Sequence, residues 1–198
     1  VEFYSHDELI HGPTFKQIFI LFLLPMNEFG NIKIVNVTSQ PHIDHVKNLI
    51  REFVKWHLQR HSDDARFTNE YFDPENLEKE LSGLPGKYAM PEGRILLALY
   101  NDGPAGCVAL RKIDTESCEM KRMFVYPEFH GKRIGYALAE AIINEAKDIG
   151  YSSMKLDTSW RQVEAQNLYQ SLGFRKIDPY YDLPEKLKSW LVFMELKL

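Results

Sequence analysis

One short stretch, His130-Gly131-Lys132-Arg133-Ile134-Gly135-Tyr136-Ala137, has the residue types to hold a phosphate. Its two glycines let the backbone turn closely, and helical spacing begins directly afterwards. Ile134, Ala137, Leu138, Ala141, Ile142, Ala146 and Ile149 fall on one side, with Glu140, Asn144, Lys147 and Asp148 opposite. The first turn of a helix has N–H groups without acceptors and carries the positive end of the helix dipole, so an anionic phosphate is stabilised there. Arg133 argues against a positive φ at its position, and its guanidinium offers a charged contact to a phosphate. Gly131-Lys132 is not a P-loop, because no Ser or Thr follows and the glycine spacing differs; the Gly131 and Gly135 pair is also too short for a dinucleotide fingerprint. His57 and His61 are four apart, as zinc ligands on a helix can be. The intervening residues are Leu-Gln-Arg, without the glutamate of a His-Glu-x-x-His site, so the segment reads better as a solvated helix end and no metal is expected.

The elements that must position this turn can be read on either side of it. Met120 to Tyr126 is a strand, stopped by Pro127, which has no N–H for a ladder. Cys118 and Met120 are apolar at even positions, whereas Met123 and Val125 are apolar at odd ones. A bulge near Arg122 would produce that change of phase. The helix after the turn ends at Gly150. Met154 to Thr158 is the next strand, and a strand that returns after a helix pairs in parallel. Ser159-Trp160-Arg161-Gln162 fits a capping box for a helix with Ala165, Leu168, Tyr169 and Leu172 on one face. Upstream, 31–38 alternates as a first strand. Thr38-Ser39-Gln40-Pro41 opens a helix that runs to about Arg60, with Ile43, Val46, Leu49, Ile50, Phe53 and Val54 in phase. Asp73-Pro74-Glu75 starts a short helix, and Gly83 to Gly93 reads as loop. Arg94–Tyr100 and Ala105–Ile113 form a hairpin around Asn101-Asp102-Gly103-Pro104, and the final strand runs from Trp190 to Leu198.

The chain has 198 residues, 44% hydrophobic and 26% charged, which suits one globular domain with a sizeable core. A net charge of −4 gives no reason to expect nucleic acid as a partner. Two cysteines, Cys107 and Cys118, make no disulfide framework, so a cytoplasmic setting is expected. Residues 1–30 read as an N-terminal extension, with Met26 as a candidate native start. Their apolar run, Ile18 to Leu24, is far shorter than the ~20 residues that span a bilayer, so no membrane partner is expected.

Three pieces together carry a family resemblance: Val125-Tyr126-Pro127 at a strand end, the glycine turn, and Leu168-Tyr169-Gln170-Ser171-Leu172-Gly173-Phe174. They resemble the acyl-CoA-binding core of the GNAT superfamily of N-acetyltransferases, across residues 31–198. His130 stands where the family has Gln or Arg, Arg133 where it has the first turn glycine, and Gly135 matches the second. The resemblance implies an α/β fold with a mixed, mostly antiparallel sheet whose one parallel strand pair splays into a wedge, flanked by helices. It implies acetyl-CoA as acyl donor, with its diphosphate on residues 130–137 and its pantetheine along Met123, Phe124 and Val125 and near Gln162 and Ala165. Gln162 takes the place of a family asparagine, and it also reads simply as a helix cap.

The activity implied is transfer of an acetyl group to a primary amine of a small or amino-acid-like molecule by direct attack in a ternary complex. Protein N-terminal or lysine acetylation, and non-catalytic acyl-CoA sensing, are the alternatives; a homodimer is left open. Tyr169 is the implied acid for the leaving thiolate, since a phenol of pKa ~10 keeps its proton until one forms; it also reads as a core tyrosine. Glu119 is the implied base, directly or through water, and it equally reads as a surface carboxylate paired with Lys121 or Arg111. Asp157, or a water chain, would serve instead. A backbone N–H near Val125 is the implied oxyanion donor. Acceptor contacts are expected from Trp56–Tyr71 and Asp178–Ser189, where Pro179, Tyr180 and Tyr181 read either as an aromatic wall or as surface packing. Arg122 or Arg161 would bind an acceptor carboxylate or neutralise nearby acids.

Overall fold

In the computed structural model, residues 31–60 and 62–198 are described; the apolar run 18–24 and His61 lie outside the described residues. The strands are β1 (Ile32–Asn36), β2 (Arg94–Tyr100), β3 (Gly103–Lys112), β4 (Ser117–Val125), β5 (Ser153–Ser159), β6 (Arg175–Ile177) and β7 (Leu191–Lys197). They form one sheet in the order β1-β2-β3-β4-β5-β7-β6. Every pair is antiparallel except β4 with β5. The helices are α1 (Gln40–Arg60), α2 (Ala65–Tyr71), α3 (Pro74–Ser82), α4 (Ile134–Ile149), α5 (Val163–Ser171) and α6 (Glu185–Lys188). Helix α2 was not anticipated from the sequence, and the expected loop 83–93 contains a 3-10 turn at Gly86–Tyr88.

The local chemistry behind these elements is plain. Asn101 and Asp102 have φ of 50° and 67°, the left-handed pair that a two-residue hairpin turn needs. Asp73 caps α3 by accepting from the Asn76 N–H at 2.9 Å, and Pro74 fills the first helical position, where no N–H is required. Gly150 ends α4 at φ 103°.

Side-chain alternation gives the sheet two apolar faces. Leu138, Ile142, Met154 and Leu156 belong to the core on the α4 side. Val46, Leu49, Ile50, Leu81 and Tyr88 form the core under α1 and α3. Strand β4 crosses between these cores. Cys118 and Met120 face α4, but further along Met123 and Val125 pack on that side while Phe124 joins the α1 core. The switch is the expected bulge. Lys121 pairs with Ala109 and Phe124 with Cys107, so Arg122 and Met123 together oppose Val108. Arg122 takes φ 57°, and its carbonyl accepts from the Cys107 thiol at 3.4 Å.

The other consequence lies on the β5 side. Strands β4 and β5 pair only at Ser117–Glu119 with Ser153–Lys155. Beyond Glu119 the two part, while β5 stays in register with β7 as far as Ser159 and Leu191.

Candidate active site

Where β4 leaves β5, a cavity of about 530 Å³, open mouth included, fills the fork. Met123 of β4, Asp157 of β5, Gln162 and Tyr169 line it from the two strands and α5; His57 and Tyr71 line it from α1 and α2. The β4 backbone beside it has polar groups to spare. Tyr126 N–H donates to Ala105 of β3, so by strand alternation the Val125 groups point the other way, towards β5. In agreement, a His130 ring nitrogen lies 3.1 Å from the Val125 carbonyl oxygen.

Tyr169 is 6% exposed. Burial, and then the negative charge of Asp157, push its phenol well above the ordinary value, so it stays protonated at neutral pH. The capping box was not found. Ser159 is still in the ladder with β7, so α5 begins only at Val163, and Gln162 stands at the N-cap without a side-chain bond. That leaves the Gln162 side chain on the cavity wall. Phe124 points its ring into the α1 core against Phe53, at 5.5 Å, while its backbone pairs with Cys107. Ala165 packs at the edge of the α4 core.

In the turn, Arg133 takes φ 61° despite its side chain, against the expectation from its residue type. Its guanidinium lies 5.5 Å over the Tyr136 ring, a contact that offsets part of the left-handed strain. The first helical bond runs from Ala137 N–H to the Arg133 carbonyl at 3.0 Å, so the amides of Ile134, Gly135 and Tyr136 precede it and have no helical acceptor. His130 and Lys132 donate their own amides to Pro127 and Phe129. The anion-binding set is therefore narrower than the whole of 130–137. Gly131 has φ 80° with nothing within 4 Å of where a Cβ would be, and Gly135 would bring a Cβ no closer than 3.7 Å to Met123 and Leu168. Ile134 is 1% exposed and offers only its backbone. The chemistry of this set suits the diphosphate of a coenzyme: aligned free amides, an open turn and two nearby cations, Lys132 and Arg133.

Glu119 is completely buried, and it is paired with both of its expected partners. Its carboxylate accepts from Arg111 Nε and, at 2.7 Å, from Tyr180 Oη, with Lys121 Nζ at 3.6 Å. Lys121 Nζ also sits 2.8 Å from Asp157 and donates to Tyr71 at 2.6 Å. Asp157 accepts further from Tyr71 and from Tyr181, the latter at 3.0 Å. Burial alone would raise Asp157. The Lys121 ammonium and the hydrogen bonds from Lys121, Tyr71 and Tyr181 outweigh it and hold the carboxyl below its usual range. The Tyr180 and Tyr181 rings pack on Phe193, as the packing reading has it, and their hydroxyls satisfy buried acids, a role the sequence did not suggest. Arg122 pairs with Glu80 at 2.8 Å and Arg161 with Asp64 at 2.6 Å.

His57 is the residue that the sequence reading misplaced. It is 2% exposed, not a solvated helix end, because it continues the stripe of Val46, Ile50 and Phe53 on the inner face of α1. Its Nδ1 lies 3.2 Å from Thr68 Oγ1, and that oxygen is 3.4 Å from the Asp64 carbonyl. A carbonyl only accepts, so the Thr68 proton points at it and the Thr68 oxygen accepts the Nδ1–H. In that tautomer the basic nitrogen of a neutral ring is Nε2. Among the described residues no cluster could hold a metal ion. The Cys107 and Cys118 thiols are both pushed up to about 12 by burial, so neither supplies a thiolate for a covalent acetyl intermediate.

Comparison with known proteins decides the family. The family model described as an acetyltransferase (GNAT) domain matches residues 91–176. A curated relative from Schizosaccharomyces pombe, named an uncharacterized N-acetyltransferase, is 37% identical over 157 residues, covering 78% of this chain and 90% of its own. The chain belongs to the GNAT superfamily of N-acetyltransferases. A second relative of this N-acetyltransferase, an uncharacterized N-acetyltransferase of Dictyostelium discoideum, is 29% identical over 84% of this chain and 99% of its own. Among solved structures, the PaiA N-acetyltransferase of Thermoplasma acidophilum, crystallised in complex with coenzyme A, has the same fold at a TM-score of 0.63 and 20% identity, covering 85% of this chain and 99% of that one. The fork between β4 and β5 is thus the wedge of a GNAT fold. No helix among the described residues is long and apolar enough to cross a membrane.

Proposed function

We propose that the protein transfers an acetyl group from acetyl-CoA directly to the primary amine of a small, amino-acid-like acceptor. The observation that carries this reading is the convergence of His57, Tyr169 and the unpaired edge of β4 on one cavity at the fork. Acetyl-CoA supplies the thioester. The amides of Ile134, Gly135 and Tyr136 would hold its diphosphate, and the free edge of β4 at Met123 and Val125 would take the pantetheine as an added strand.

An ammonium has no lone pair, so a proton must first leave the acceptor. His57 Nε2 takes it. The neutral nitrogen attacks the carbonyl carbon, and the C–N bond forms as the C–S bond breaks. A β4 amide near Val125 stabilises the negative charge that develops on the carbonyl oxygen. Tyr169 gives its proton to the departing sulfur, and the proton released by the new amide nitrogen restores the phenol. Glu119 is then a positioning residue: buried and fully bonded, it fixes Arg111, Lys121 and Tyr180 beside the acceptor's path. The buried, protonated cysteines support direct attack over a covalent relay.

The test is Tyr169→Phe, assayed by release of coenzyme A thiol with acetyl-CoA and a panel of amines. Turnover should fall by about 10²- to 10⁴-fold, while coenzyme A binding by calorimetry stays within about twofold of the unsubstituted protein, because a buried phenol off the coenzyme's anchoring amides contributes little to its affinity. Unchanged turnover would remove Tyr169 from the chemistry. Tight coenzyme A binding with no transfer to any amine would make the protein a sensor.

A further inference from the structure

A second, more open cavity of about 670 Å³ adjoins the first, and the two share Tyr71, Lys121 and Arg122 as lining. Lys87 and Arg111 complete a wall of four cations. Three carboxylates pair with them: Glu80 with Arg122 and Lys87, Glu119 with Arg111 and Lys121, and Asp157 with Lys121. Four cations against three acids leave the wall with one positive charge in excess. Glu70, on the rim, is held by Lys186 at 2.7 Å and does not cancel it.

The donors tell the same story. Arg111 and Arg122 each use Nε on their carboxylate. Among the described residues their Nη groups make no hydrogen bond, and neither is a buried unsatisfied atom, so they open to the space that they line. Guanidinium edges that line one cavity can between them take the two oxygens of a carboxylate. We propose that this second cavity is the acceptor's carboxylate subsite, held by the free Nη groups of Arg111 and Arg122, so that the acceptor is an amine that also carries a carboxylate. Its acid end lies among these cations, and its amine passes Tyr71 and Lys121 into the fork. The proposal rests on the transfer reading above.

The experiment compares matched pairs with acetyl-CoA: phenylalanine with phenethylamine, histidine with histamine, lysine with cadaverine and arginine with agmatine. At least one amino acid should exceed its decarboxylated partner in kcat/KM by 30-fold or more. Arg111→Lys and Arg122→Lys keep the charge that their buried carboxylates need but lose the fork. Each should raise KM for that amino acid at least tenfold more than it raises KM for the partner amine. The decarboxylated amines being the better substrates, or both lysine variants weakening each pair equally while folded by circular dichroism, would overturn the subsite and leave the transfer reading standing. No transfer to any member, with coenzyme A still bound, would overturn both.

Discussion

Glu80 gives the sharpest quantitative test of how the site is built. It sits on α3 with its side chain 13% exposed, and it accepts from Arg122 Nε at 2.8 Å, from Lys87 Nζ and from Tyr88 Oη at 3.0 Å. Arg122 is 12% exposed and is the left-handed residue of the β4 bulge, with its guanidinium 5.3 Å over Phe72. Burial would raise the Glu80 carboxyl. The hydrogen bond and charge of Arg122, then those of Lys87, win and hold it at about 2 against an ordinary 4.5. A carboxyl depressed on folding stabilises the fold above its unfolded value, and that contribution is lost as pH falls through the folded value. The window is therefore about pH 4.5 down to 2. The difference amounts to about 3 kcal/mol at pH 7 and about 2 kcal/mol at pH 3.5. Removing one partner of a buried pair costs a similar amount, since Arg122 would be left buried and uncompensated.

Glu80→Gln should therefore lower stability by about 3 kcal/mol at pH 7, or roughly 6–12 °C in Tm for a domain of this size. Urea unfolding of both proteins between pH 7 and pH 3.5 should show the gap narrowing by about 1 kcal/mol. A gap under about 1 kcal/mol at pH 7, or one that widens towards acid, would mean that Arg122 does not depend on Glu80 and that the bulge is set by the backbone alone.

Two further substitutions probe the chemistry and the turn. His57→Gln should cut turnover at pH 7 by about 10²-fold or more, and its rate should climb about tenfold per pH unit as the free acceptor amine becomes available without help; a rate curve parallel to that of the unsubstituted protein would take His57 out of proton removal. Arg133→Gly relieves the left-handed strain but loosens the unfolded chain by a comparable amount, so Tm should stay within about 2 °C. Its coenzyme A affinity should nonetheless fall about tenfold, the worth of one charge-assisted hydrogen bond; an unchanged affinity in calorimetry would show that the guanidinium serves only Tyr136.

The frame of this fold is written in local patterns. Pro127 and Gly150 punctuate it, Asn101 and Asp102 make the hairpin, and the change of phase from Met120 to Met123 marks the bulge. What local pattern missed has local reasons too. Ser159 resembles a helix cap, but its backbone is committed to the ladder opposite Leu191, and a ladder outweighs a capping preference. Arg133 shows that a turn can impose a positive φ on a residue that disfavours it. His57 was legible in principle: its place four residues after Phe53 extends the apolar stripe of α1 inward, a matter of helical phase and not of its spacing from His61.

The buried charges are a different case, and they follow from the fork itself. Once β4 and β5 part after Glu119, side chains at the fork face neither a neighbouring strand nor open water, and any polar one must find its partner through space. Lys121 is balanced by Asp157 from β5 and Glu119 from β4, and Asp157 by Tyr71 from α2 and Tyr181 from the segment before α6. Those partners are separated by between 2 and 86 residues along the chain, so no window of sequence contains the set. Alternation correctly puts Glu119 and Lys121 on the face away from α4; it cannot say that α2 and a tyrosine pair will close over that face and turn a polar surface into an interior one. The same closure brings His57 and Tyr169 to one cavity, which is why the proposed acid could be named from its motif and the proposed base only from the fold.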